Sequence, residues 1–328
     1  MPPTESLALI EYDDDGIATA FRADVLDGLA QDPKAVPARW LYDDAGSELF
    51  EAITRLPEYY LTRAETSILR QRCADFRRLI APGRAVVEFG SGSSVKTPLL
   101  LECIAPAAYV PLDISGDFLR AASADLAEKF PGLPVYPVEA DFMQPVRLPE
   151  AVATLPKLGF FPGSTIGNMV ARTAVDLLRS MRLTLGGDAL LLIGMDLVKD
   201  VAVLEAAYDD AQGVTATFNL NLARRINREL GGTIPLDQLR HVARWNDTYA
   251  RIEMHLEALD DIAFAVAGRR FALTKGETIH TENCHKFDRR SQYTLLTAGG
   301  WTPLERWLDP GERFSLILAE ATRPRNAP

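Results

Sequence analysis

The sequence has few cysteines, no long apolar run and no excess of positive charge, and each shortage excludes a class of protein. Its three cysteines, Cys73, Cys103 and Cys284, are odd in number and widely spaced, so the sequence predicts reduced thiols and no disulfide framework. No uninterrupted apolar run reaches about 18 residues, and the first residues, MPPTES, are acidic rather than basic, which argues against a membrane span and a secretion signal. These features predict a cytoplasmic protein.

Charge and apolar content narrow the remaining possibilities. The formal net charge is −10, which argues against nucleic acid or an anionic membrane surface as the main partner. The 328 residues include 47% apolar residues and no repeat, enough to bury a sizeable core in one large domain or two interleaved ones. The composition therefore predicts a soluble globular protein.

The clearest signal for ligand binding lies in residues 85–97. Residues 85–88 have strand character and run into a Gly/Ser turn, and a stretch compatible with a helix begins near Lys96. Gly90 and Gly92 lack a Cβ and can adopt backbone conformations that other residues avoid. The turn therefore predicts a cradle in which main-chain N–H groups and a helix N-terminus close around a polar ligand.

Three ligand classes and one simpler alternative fit this turn. The dinucleotide motif G-x-G-x-x-G and the phosphate-binding motif G-x-x-x-x-G-K-[ST] each need a glycine where the chain has Val95. Lys96 and Thr97 do fit the second motif. The looser E-x-G-x-G loop of a nucleoside-binding methyltransferase needs only the two glycines that are present. An ordinary Gly/Ser turn after a strand is the fourth interpretation.

Strands and helices alternate from residue 85 onward, after a helical pattern over residues 63–79. The pattern predicts strands over residues 85–89, 108–113, 134–138, 157–162 and 189–194, and helices over residues 96–104 and 116–130. Such alternation predicts an α/β fold with a parallel, doubly wound sheet. Residues 302–307 and 313–320 read as a closing hairpin that returns to the sheet.

Ligands bind beyond the carboxyl ends of such strands, so the residues at these ends are candidates for binding. Asp113 lies 23 positions after Gly90 (113 − 90), near the roughly 20 expected of an acidic residue that accepts hydrogen bonds from a ribose. Asp141 and Phe142 follow the next strand, where a carboxylate can accept from an exocyclic amine and an aromatic ring can lie on adenine. A helix cap is the alternative for Asp113. Together the strand ends predict nucleoside binding.

The alternation breaks between about residues 197 and 287, which read as an inserted segment. The pattern predicts helices over residues 197–211, 214–229 and 236–243, and strands over residues 251–257, 263–266, 270–273 and 277–287. The first of these helices carries Tyr208. Nearer the N-terminus, helices are predicted over residues 18–29 and 47–55, and Tyr42, Tyr59 and Tyr60 form either an aromatic wall or the edge of the core.

Residues 277–287 are the densest polar run with strand character. In an extended strand, His280, Glu282 and Cys284 point to one face and the residues between them to the other. A carboxylate and a thiol side by side predict a site for a cationic or hydrogen-bonding group. The spacing of these residues and His285 matches no known ligand pattern, so we expect no metal site. A solvated strand edge is the remaining alternative.

Several segments resemble the S-adenosylmethionine-dependent histidine Nα-methyltransferases of ergothioneine biosynthesis. The matching segments are the glycine turn with Lys96-Thr97 and residues 41–50 (LYDDAGSELF), 53–60 (ITRLPEYY), 163–168 (GSTIGN), 208–211 (YDDA), 251–254 (RIEM), 281–282 and 286–287. They span nearly the whole chain. The resemblance implies a class I methyltransferase domain of residues 61–196 and 288–328, with an α+β substrate-binding domain of residues 1–60 and 197–287.

The resemblance also implies which residues bind each ligand. Those for S-adenosylmethionine are Gly90, Ser91, Gly92, Lys96, Asp113, Asp141 and Phe142, and those for the amino acid are Tyr42, Tyr59, Asn168, Tyr208, Met254, Glu282, Asn283 and Cys284. Asn168 and Tyr208 would hold the carboxylate, and Glu282 the imidazole. Tyr59 would orient the amine as the catalytic residue.

The chain departs from the family pattern at Asn283 and Cys284, where the family has a small apolar residue followed by serine. A thiol is a weaker hydrogen-bond partner than a hydroxyl, so the departure bears on imidazole recognition. The implied reaction is methylation of the histidine α-amine, three times to give hercynine, by a monomer that uses S-adenosylmethionine and no metal. The alternatives are another aromatic or modified amino acid as substrate, a P-loop-like hydrolase, and a silent amino-acid or nucleoside sensor.

Overall fold

The computed structural model describes residues 14–92, 96–114 and 116–322. Its α-helices are α1 (Asp14–Ala30), α2 (Asp44–Thr54), α3 (Leu61–Gln71), α4 (Cys73–Leu79), α5 (Thr97–Ile104), α6 (Gly116–Lys129), α7 (Ala171–Leu185), α8 (Val201–Ala206), α9 (Val214–Glu229) and α10 (Arg289–Ala298). Its strands are β1 (Lys34–Ala35), β2 (Ala85–Phe89), β3 (Ala108–Asp113), β4 (Val138–Glu139), β5 (Lys157–Phe161), β6 (Leu190–Asp196), β7 (Leu239–Asn246), β8 (Arg251–Ala258), β9 (Ile262–Val266), β10 (Arg269–Leu273), β11 (Thr278–His285), β12 (Trp301–Leu308) and β13 (Phe314–Ala321). In the described ranges no helix is both long enough and apolar enough to cross a membrane.

The chain folds into two compact units. One, which we call the sheet unit, comprises Arg63–Leu197 and the chain from Phe287 onward. The other, the insert unit, comprises the chain from α1 to Thr62 together with Val198–Lys286. The ligand that each unit binds stays a prediction from the sequence.

Within its described residues, the sheet unit is built on a seven-stranded sheet in the order β12-β13-β6-β5-β2-β3-β4. Strands β6, β5, β2, β3 and β4 run parallel to one another, and β13 runs antiparallel to both of its neighbours, β12 and β6. All five residues of β2 and all seven of β6 are buried, the pattern expected of a parallel sheet covered on both faces. The predicted α/β class, the doubly wound sheet and the closing hairpin are confirmed.

This topology gathers one end of several strands at a single edge of the sheet. Because β2, β3, β4 and β5 are parallel, their carboxyl ends lie side by side. Gly90 follows β2, Asp113 ends β3, Asp141 follows β4 and Gly163 follows β5. Residues distant in sequence therefore meet at the edge where ligands of such sheets bind.

In its described residues, the insert unit contains a four-stranded sheet in the order β1-β11-β8-β7 and a separate hairpin of β9 and β10. Strand β8 is central and pairs antiparallel with both β7 and β11. Helix α9 packs on β7 and β8 and also against α2. Its buried residues, which include Phe218 and Leu222, form the apolar face that this packing needs.

The helix predicted over residues 236–243 is wrong. A short 3-10 turn over Leu236–Gln238 leads into β7, which pairs in register with β8 from Leu239 opposite Ala258 to Asn246 opposite Arg251. A short segment with this apolar spacing fits a helix or a strand, and pairing with a distant strand decides between them.

The helix predicted over residues 197–211 is shorter than predicted. The Asp200 side chain accepts a hydrogen bond from the Ala202 N–H at 2.8 Å and caps the start of α8. The helix ends at Ala206, so Tyr208 lies in the turn that follows and not on the helix.

Two further elements differ from their predicted bounds. The helical stretch over residues 63–79 is divided at Arg72 into α3 and α4. The strand predicted over residues 134–138 is reduced to β4, preceded by an isolated bridge between Tyr109 and Val135. In both places packing against neighbouring elements, which local spacing does not encode, sets the limits.

The prediction that the cysteines are reduced is wrong for two of them. Cys73 at the start of α4 and Cys103 in the last turn of α5 form a disulfide, with their Cα atoms 5.3 Å apart. Helices α4 and α5 pack together, and this packing joins residues separated by 30 positions. Cys284 is buried and takes no part in a disulfide.

Candidate active site

The turn after β2 uses the conformational freedom of its glycines. Gly90 has φ +73° and Gly92 has φ +44°, both in the left-handed region. The N–H groups of Gly90 and Ser91 donate to the Leu112 carbonyl at 2.8 and 3.1 Å. The N–H of Gly92 donates to Oδ2 of Asp113 at 3.1 Å. The turn thus ties the end of β2 to the end of β3 and brings Asp113 beside the glycines.

Asp141 and Phe142 lie at the same edge of the sheet. A Cβ placed on Gly90 would lie 3.5 Å from the Phe142 ring, so the ring covers the glycine turn. Phe142 packs edge-on against Phe89, with ring centroids 6.2 Å apart. Oδ1 of Asp141 accepts from the Met143 N–H at 2.9 Å, which fixes the orientation of the carboxylate. The structure therefore brings both residues to the glycine turn.

Lys96, just before α5, is held by a buried carboxylate that sequence reasoning missed. Glu65 on α3 is completely buried, and its Oε2 accepts from Nζ of Lys96 at 2.6 Å and from the N–H of Gly163 at 2.9 Å. A Cβ on Gly194 would lie 2.3 Å from Oε1 of Glu65, so β6 also contacts this side chain. A lone glutamate in an amphipathic helix gives no sequence signal of such partners.

A second buried carboxyl lies beneath the glycine turn. Oε2 of Glu88 accepts from Oγ1 of Thr97 at 2.6 Å and from the Tyr109 hydroxyl. Burial raises the pKa of Glu88 to about 7, although these two hydrogen bonds and the Lys96 ammonium act in the opposite direction. Glu88 therefore links β2 to the first residue of α5 and to β3.

Asn168 lies in the sheet unit at the end of a short 3-10 turn, Thr165–Asn168, that follows β5. The turn begins with Gly163 and Ser164, which have φ +83° and +63°. Oγ of Ser164 accepts from the N–H of Asp196 at 2.9 Å, which ties the turn to the end of β6. Asn168 thus belongs to the same carboxyl edge as the glycine turn.

The insert unit contains a buried polar cluster around Glu282 on β11. Glu282 lies opposite Met254 of β8, and its Oε1 accepts from the Tyr42 hydroxyl at 3.5 Å. Burial raises the pKa of Glu282 to about 7, against the opposing effect of the Lys286 ammonium. Burial, and then the charge of Glu282, raise the pKa of Tyr42 well above its ordinary value. Tyr42 is therefore a neutral hydrogen-bond donor.

Cys284, Tyr208 and Lys286 extend this cluster. The Tyr208 hydroxyl donates to Sγ of Cys284 at 2.7 Å, and Nζ of Lys286 donates to the Tyr208 oxygen at 2.8 Å and to the sulfur at 3.1 Å. All three side chains are buried. Asn283 lies opposite Glu253 in the strand register and so points to the other face of the sheet.

Aromatic rings surround the polar cluster. Tyr59 lies with its ring centroid 6.4 Å from that of Tyr208 and 6.2 Å from that of Phe50. The Tyr42 ring packs edge-on against Phe218 at 5.4 Å. Tyr59 is only 7% exposed. The aromatic residues thus form a wall that keeps the buried polar groups away from water.

The prediction that His280 shares a face with Glu282 and Cys284 is wrong. The register of β11 shifts between His280 and Glu282, which lie opposite His255 and Met254 respectively. Because these two β8 residues are adjacent, they point to opposite faces of the sheet. The extra residue of the bulge therefore separates His280 from the polar cluster.

His280 instead joins Glu253 and His255, whose ligand atoms lie within 4.8 Å of one another, a spacing that could hold a metal ion. The two imidazole rings stack with centroids 4.6 Å apart. Arg251 donates to Glu253 at 2.8 Å, and Arg244 lies 3.1 Å from His255. These guanidinium groups neutralise the carboxylate and oppose a divalent cation.

The sheet unit combines a doubly wound parallel sheet, closed by the antiparallel strand β13, with a glycine turn after β2 and an acidic residue at the end of β3, which is the arrangement of a class I S-adenosylmethionine-dependent methyltransferase. A family model described as histidine-specific methyltransferase, SAM-dependent, matches residues 21–321. The chain belongs to this family of enzymes, which confirms the resemblance seen in the sequence.

Several proteins with similar sequences carry names that are consistent with this family. The chain is 40% identical over 317 residues to a histidine N-alpha-methyltransferase of Mycolicibacterium smegmatis, covering 93% of this chain and 96% of the relative. It is 39% identical over 306 residues to a protein of the same name from Mycobacterium tuberculosis, covering 92% and 94%. Ergothioneine biosynthesis protein 1 of Neurospora crassa is 34% identical over 210 residues, which cover 61% of this chain and 24% of that protein.

Proposed function

We propose that the protein methylates the α-amino group of L-histidine with S-adenosylmethionine, in three steps that give Nα,Nα,Nα-trimethylhistidine (hercynine) for ergothioneine biosynthesis. The observation that carries this proposal is the buried carboxyl of Glu282 beside the Tyr42 hydroxyl, within a wall of aromatic rings. An imidazole N–H needs such an acceptor in surroundings that exclude water. The mycobacterial relatives named for histidine methylation support the same substrate.

The reaction asks for an unprotonated amine. Its lone pair forms a bond to the methyl carbon while the bond from that carbon to the sulfonium sulfur breaks, which leaves S-adenosylhomocysteine. A proton leaves the nitrogen after each of the first two transfers, and the third product keeps a fixed positive charge. Positioning and removal of water would supply most of the acceleration.

The residues assigned to S-adenosylmethionine each have a chemistry that suits the proposed contact. In the family assignment, Gly90, Ser91, Gly92 and Lys96 hold S-adenosylmethionine together with Asp113, Asp141 and Phe142. Gly90 and Gly92 carry no side chain and so leave room for the cofactor at the turn, Asp113 would accept from the ribose, and Asp141 would accept from the adenine amine. The Phe142 ring is suited to lie on adenine. The contact of Asp113 and Phe142 with the glycine turn supports this assignment.

The substrate residues divide between the two ends of the amino acid. Asn168 and Tyr208 would bind its carboxylate, and Glu282 its imidazole. Tyr59 would orient the amine and help its proton leave, directly or through water. Met254, Cys284 and Tyr42 would complete the surroundings of the side chain. Asn283, which points to the other face, is the assigned residue that the geometry supports least.

Mass spectrometry on the purified protein tests the proposal. The protein is incubated with S-adenosylmethionine and each of the twenty amino acids, and gains of one, two or three methyl groups are scored. We expect gain on histidine alone, ending at three methyl groups. No gain on any amino acid would contradict the proposal and favour a modified substrate or a silent sensor.

A second candidate substrate is another aromatic amino acid, such as tryptophan or a derivative of it. The observation that favours it is Cys284, whose thiol is a weaker partner for an imidazole than a hydroxyl. The chain is also 23% identical over 334 residues to a 4-dimethylallyltryptophan N-methyltransferase of Claviceps purpurea. Methyl gain on tryptophan and not on histidine would decide for this candidate.

The protein is further proposed to act as a cytoplasmic monomer, without metal, nucleic acid or membrane partners. The net charge of −10 supports the absence of nucleic-acid binding. Light scattering coupled to gel filtration would test the oligomeric state. Activity that survives dialysis against EDTA would support the absence of a metal requirement.

A further inference from the structure

Lys286 is a buried cation to which the assigned roles give no function. It is 3% exposed, and its Nζ donates to both the Tyr208 oxygen and the Cys284 sulfur. The ammonium also lies 4.5 Å from the centroid of the Tyr208 ring. A lysine buried this deeply loses the hydration of its charge, so it persists only where neighbouring groups stabilise the ammonium.

The Tyr208 hydroxyl connects Lys286 to the rest of the cluster. Its oxygen accepts from the ammonium, while its own O–H donates to Cys284. A hydrogen bond from a cation draws electron density from the phenol oxygen and makes the O–H a stronger donor. Lys286 therefore strengthens whichever hydrogen bond Tyr208 donates.

We propose that Lys286 is a substrate-positioning residue, which orients and polarises the Tyr208 hydroxyl for the carboxylate of the amino acid. This inference rests on the proposed function, which assigns Tyr208 to that carboxylate. When substrate binds, the hydroxyl turns from the Cys284 sulfur to the carboxylate, and its oxygen keeps the bond from Lys286. Cys284 keeps its own bond from Lys286, so the sulfur stays in place.

The charges of the cluster fit this role. The substrate carboxylate adds a negative charge to a cluster that already holds the buried carboxyl of Glu282. The Lys286 ammonium also acts on Glu282, where it opposes the effect of burial on the pKa. The ammonium therefore offsets part of the negative charge that the substrate carboxylate would bring into this cluster.

Steady-state kinetics of Lys286→Met test the proposal, because methionine keeps much of the side-chain length and removes the charge. We expect the KM for histidine to rise about tenfold or more and the KM for S-adenosylmethionine to stay within about twofold. Lys286→Arg keeps the charge and should recover part of the loss. An unchanged KM for histidine in Lys286→Met would overturn the proposal.

The chain offers a matched control in Lys199. Its Nζ donates to the Tyr60 oxygen at 2.6 Å and lies 4.5 Å from the centroid of that ring, nearly the geometry of Lys286 with Tyr208. Neither Lys199 nor Tyr60 has an assigned role in binding or catalysis. Lys199→Met should leave the KM for histidine unchanged, and an equal rise in both variants would overturn the proposal.

A double-mutant cycle asks whether Lys286 acts through Tyr208. In a Tyr208→Phe background the hydroxyl is absent, so Lys286→Met should raise the KM for histidine by less than about twofold further. Fully additive losses would show that Lys286 acts independently of Tyr208, which is contrary to the proposal.

Binding of histamine separates positioning from a structural role, because histamine is histidine without its carboxylate. Titration calorimetry with S-adenosylhomocysteine present should show weaker histidine binding by Lys286→Met, with histamine binding within about twofold of the wild type. Equal weakening of both would overturn the proposal. If the wild-type protein methylates another amino acid and not histidine, the proposed substrate fails, and Lys286 is tested on that amino acid and its decarboxylated amine.

Discussion

Glu253 and Glu282 show at the scale of single residues that surroundings, and not residue type, decide the chemistry of a carboxyl group. Burial raises the pKa of Glu282 to about 7. Burial acts in the same direction on Glu253, but a hydrogen bond and the charge of Arg251 outweigh it and lower the pKa of that carboxyl. The two residues lie on paired strands and face opposite sides of the sheet. Of these two carboxyl groups, Glu282 is the one poised to exchange a proton near neutral pH.

Glu282→Gln should stabilise the protein at high pH and impair histidine binding. The folded protein keeps the Glu282 proton up to about pH 7, whereas the unfolded chain releases it near 4.5. Unfolding is therefore increasingly favoured as the pH rises from 4.5 to 7, and the cost to the folded state reaches about 3 kcal/mol above pH 7. Glutamine removes this cost.

Urea unfolding at pH 5 and pH 8 measures this effect. We expect the variant to exceed the wild type in free energy of unfolding at pH 8 by up to about 3 kcal/mol, and the difference to shrink at pH 5. A difference that is the same at both pH values would contradict a raised pKa at Glu282.

Tyr59→Phe tests the role proposed for Tyr59, which is to orient the substrate amine and help its proton leave. The phenol is buried against Phe50 and Tyr208, so removal of its hydroxyl should leave the ring packing intact. We expect kcat to fall about tenfold and monomethylated or dimethylated product to accumulate, measured by mass spectrometry over time. Tyr249→Phe, at a residue that is 58% exposed, is the control. An unchanged rate and methyl count would remove Tyr59 from this role.

At the scale of elements, Glu65 connects two loops at the carboxyl edge of the parallel sheet. This residue of α3 joins Lys96, at the start of α5, to the turn that follows β5. A buried carboxylate left without its cation destabilises the folded protein, and so does a buried cation left without its carboxylate. The pair therefore fixes two loops whose residues are assigned to ligand binding.

Glu65→Gln should weaken binding of S-adenosylhomocysteine about tenfold, because Lys96 loses a charged partner while the side-chain shape is kept. Titration calorimetry measures the dissociation constant. Glu257→Gln, at a more exposed pair in which Glu257 accepts from Arg240 at 2.6 Å, should leave it unchanged. Equal binding by Glu65→Gln and wild type would show that Glu65 does not position Lys96.

The disulfide between α4 and α5 is expected to stabilise the folded protein. It closes a loop of 30 residues, so its removal in Cys73→Ser should lower the free energy of unfolding by about 3 to 4 kcal/mol. Thiol titration of denatured wild-type protein should find one reactive thiol, that of Cys284, and three after reduction. Three thiols before reduction would restore the expectation drawn from the sequence.

At the scale of the whole molecule, ligand binding should stabilise the fold by mass action. S-adenosylhomocysteine at 100 times its dissociation constant should raise the free energy of unfolding by about 2.7 kcal/mol. ATP with Mg²⁺ should give no comparable effect, because Val95 replaces a glycine that the phosphate-binding motif requires. Equal stabilisation by the nucleotide, followed in urea titrations, would favour the P-loop interpretation.

Across the whole molecule, residue periodicity located several strands of the sheet unit and misassigned one element of the insert unit. Strand and helix periodicity predicted the elements of the sheet unit to within a few residues for β2, β3, β5 and β6. It failed at residues 236–243, where pairing with β8 makes a strand of a segment that fits a helix equally well. The predicted strand over residues 277–287 formed, but its bulge moved His280 to the other face.

The amino-acid sequence by itself determined the α/β class, the glycine turn after a buried strand, the acidic residues at successive strand ends and the resemblance to histidine methyltransferases. Each of these features follows from the local spacing of residues or from a short motif. Only the tertiary structure decided the partners of Glu65 and Lys286, the faces of β11 and the pairing of Cys73 with Cys103. Those features depend on contacts between distant residues, which packing and strand register set and no local pattern encodes.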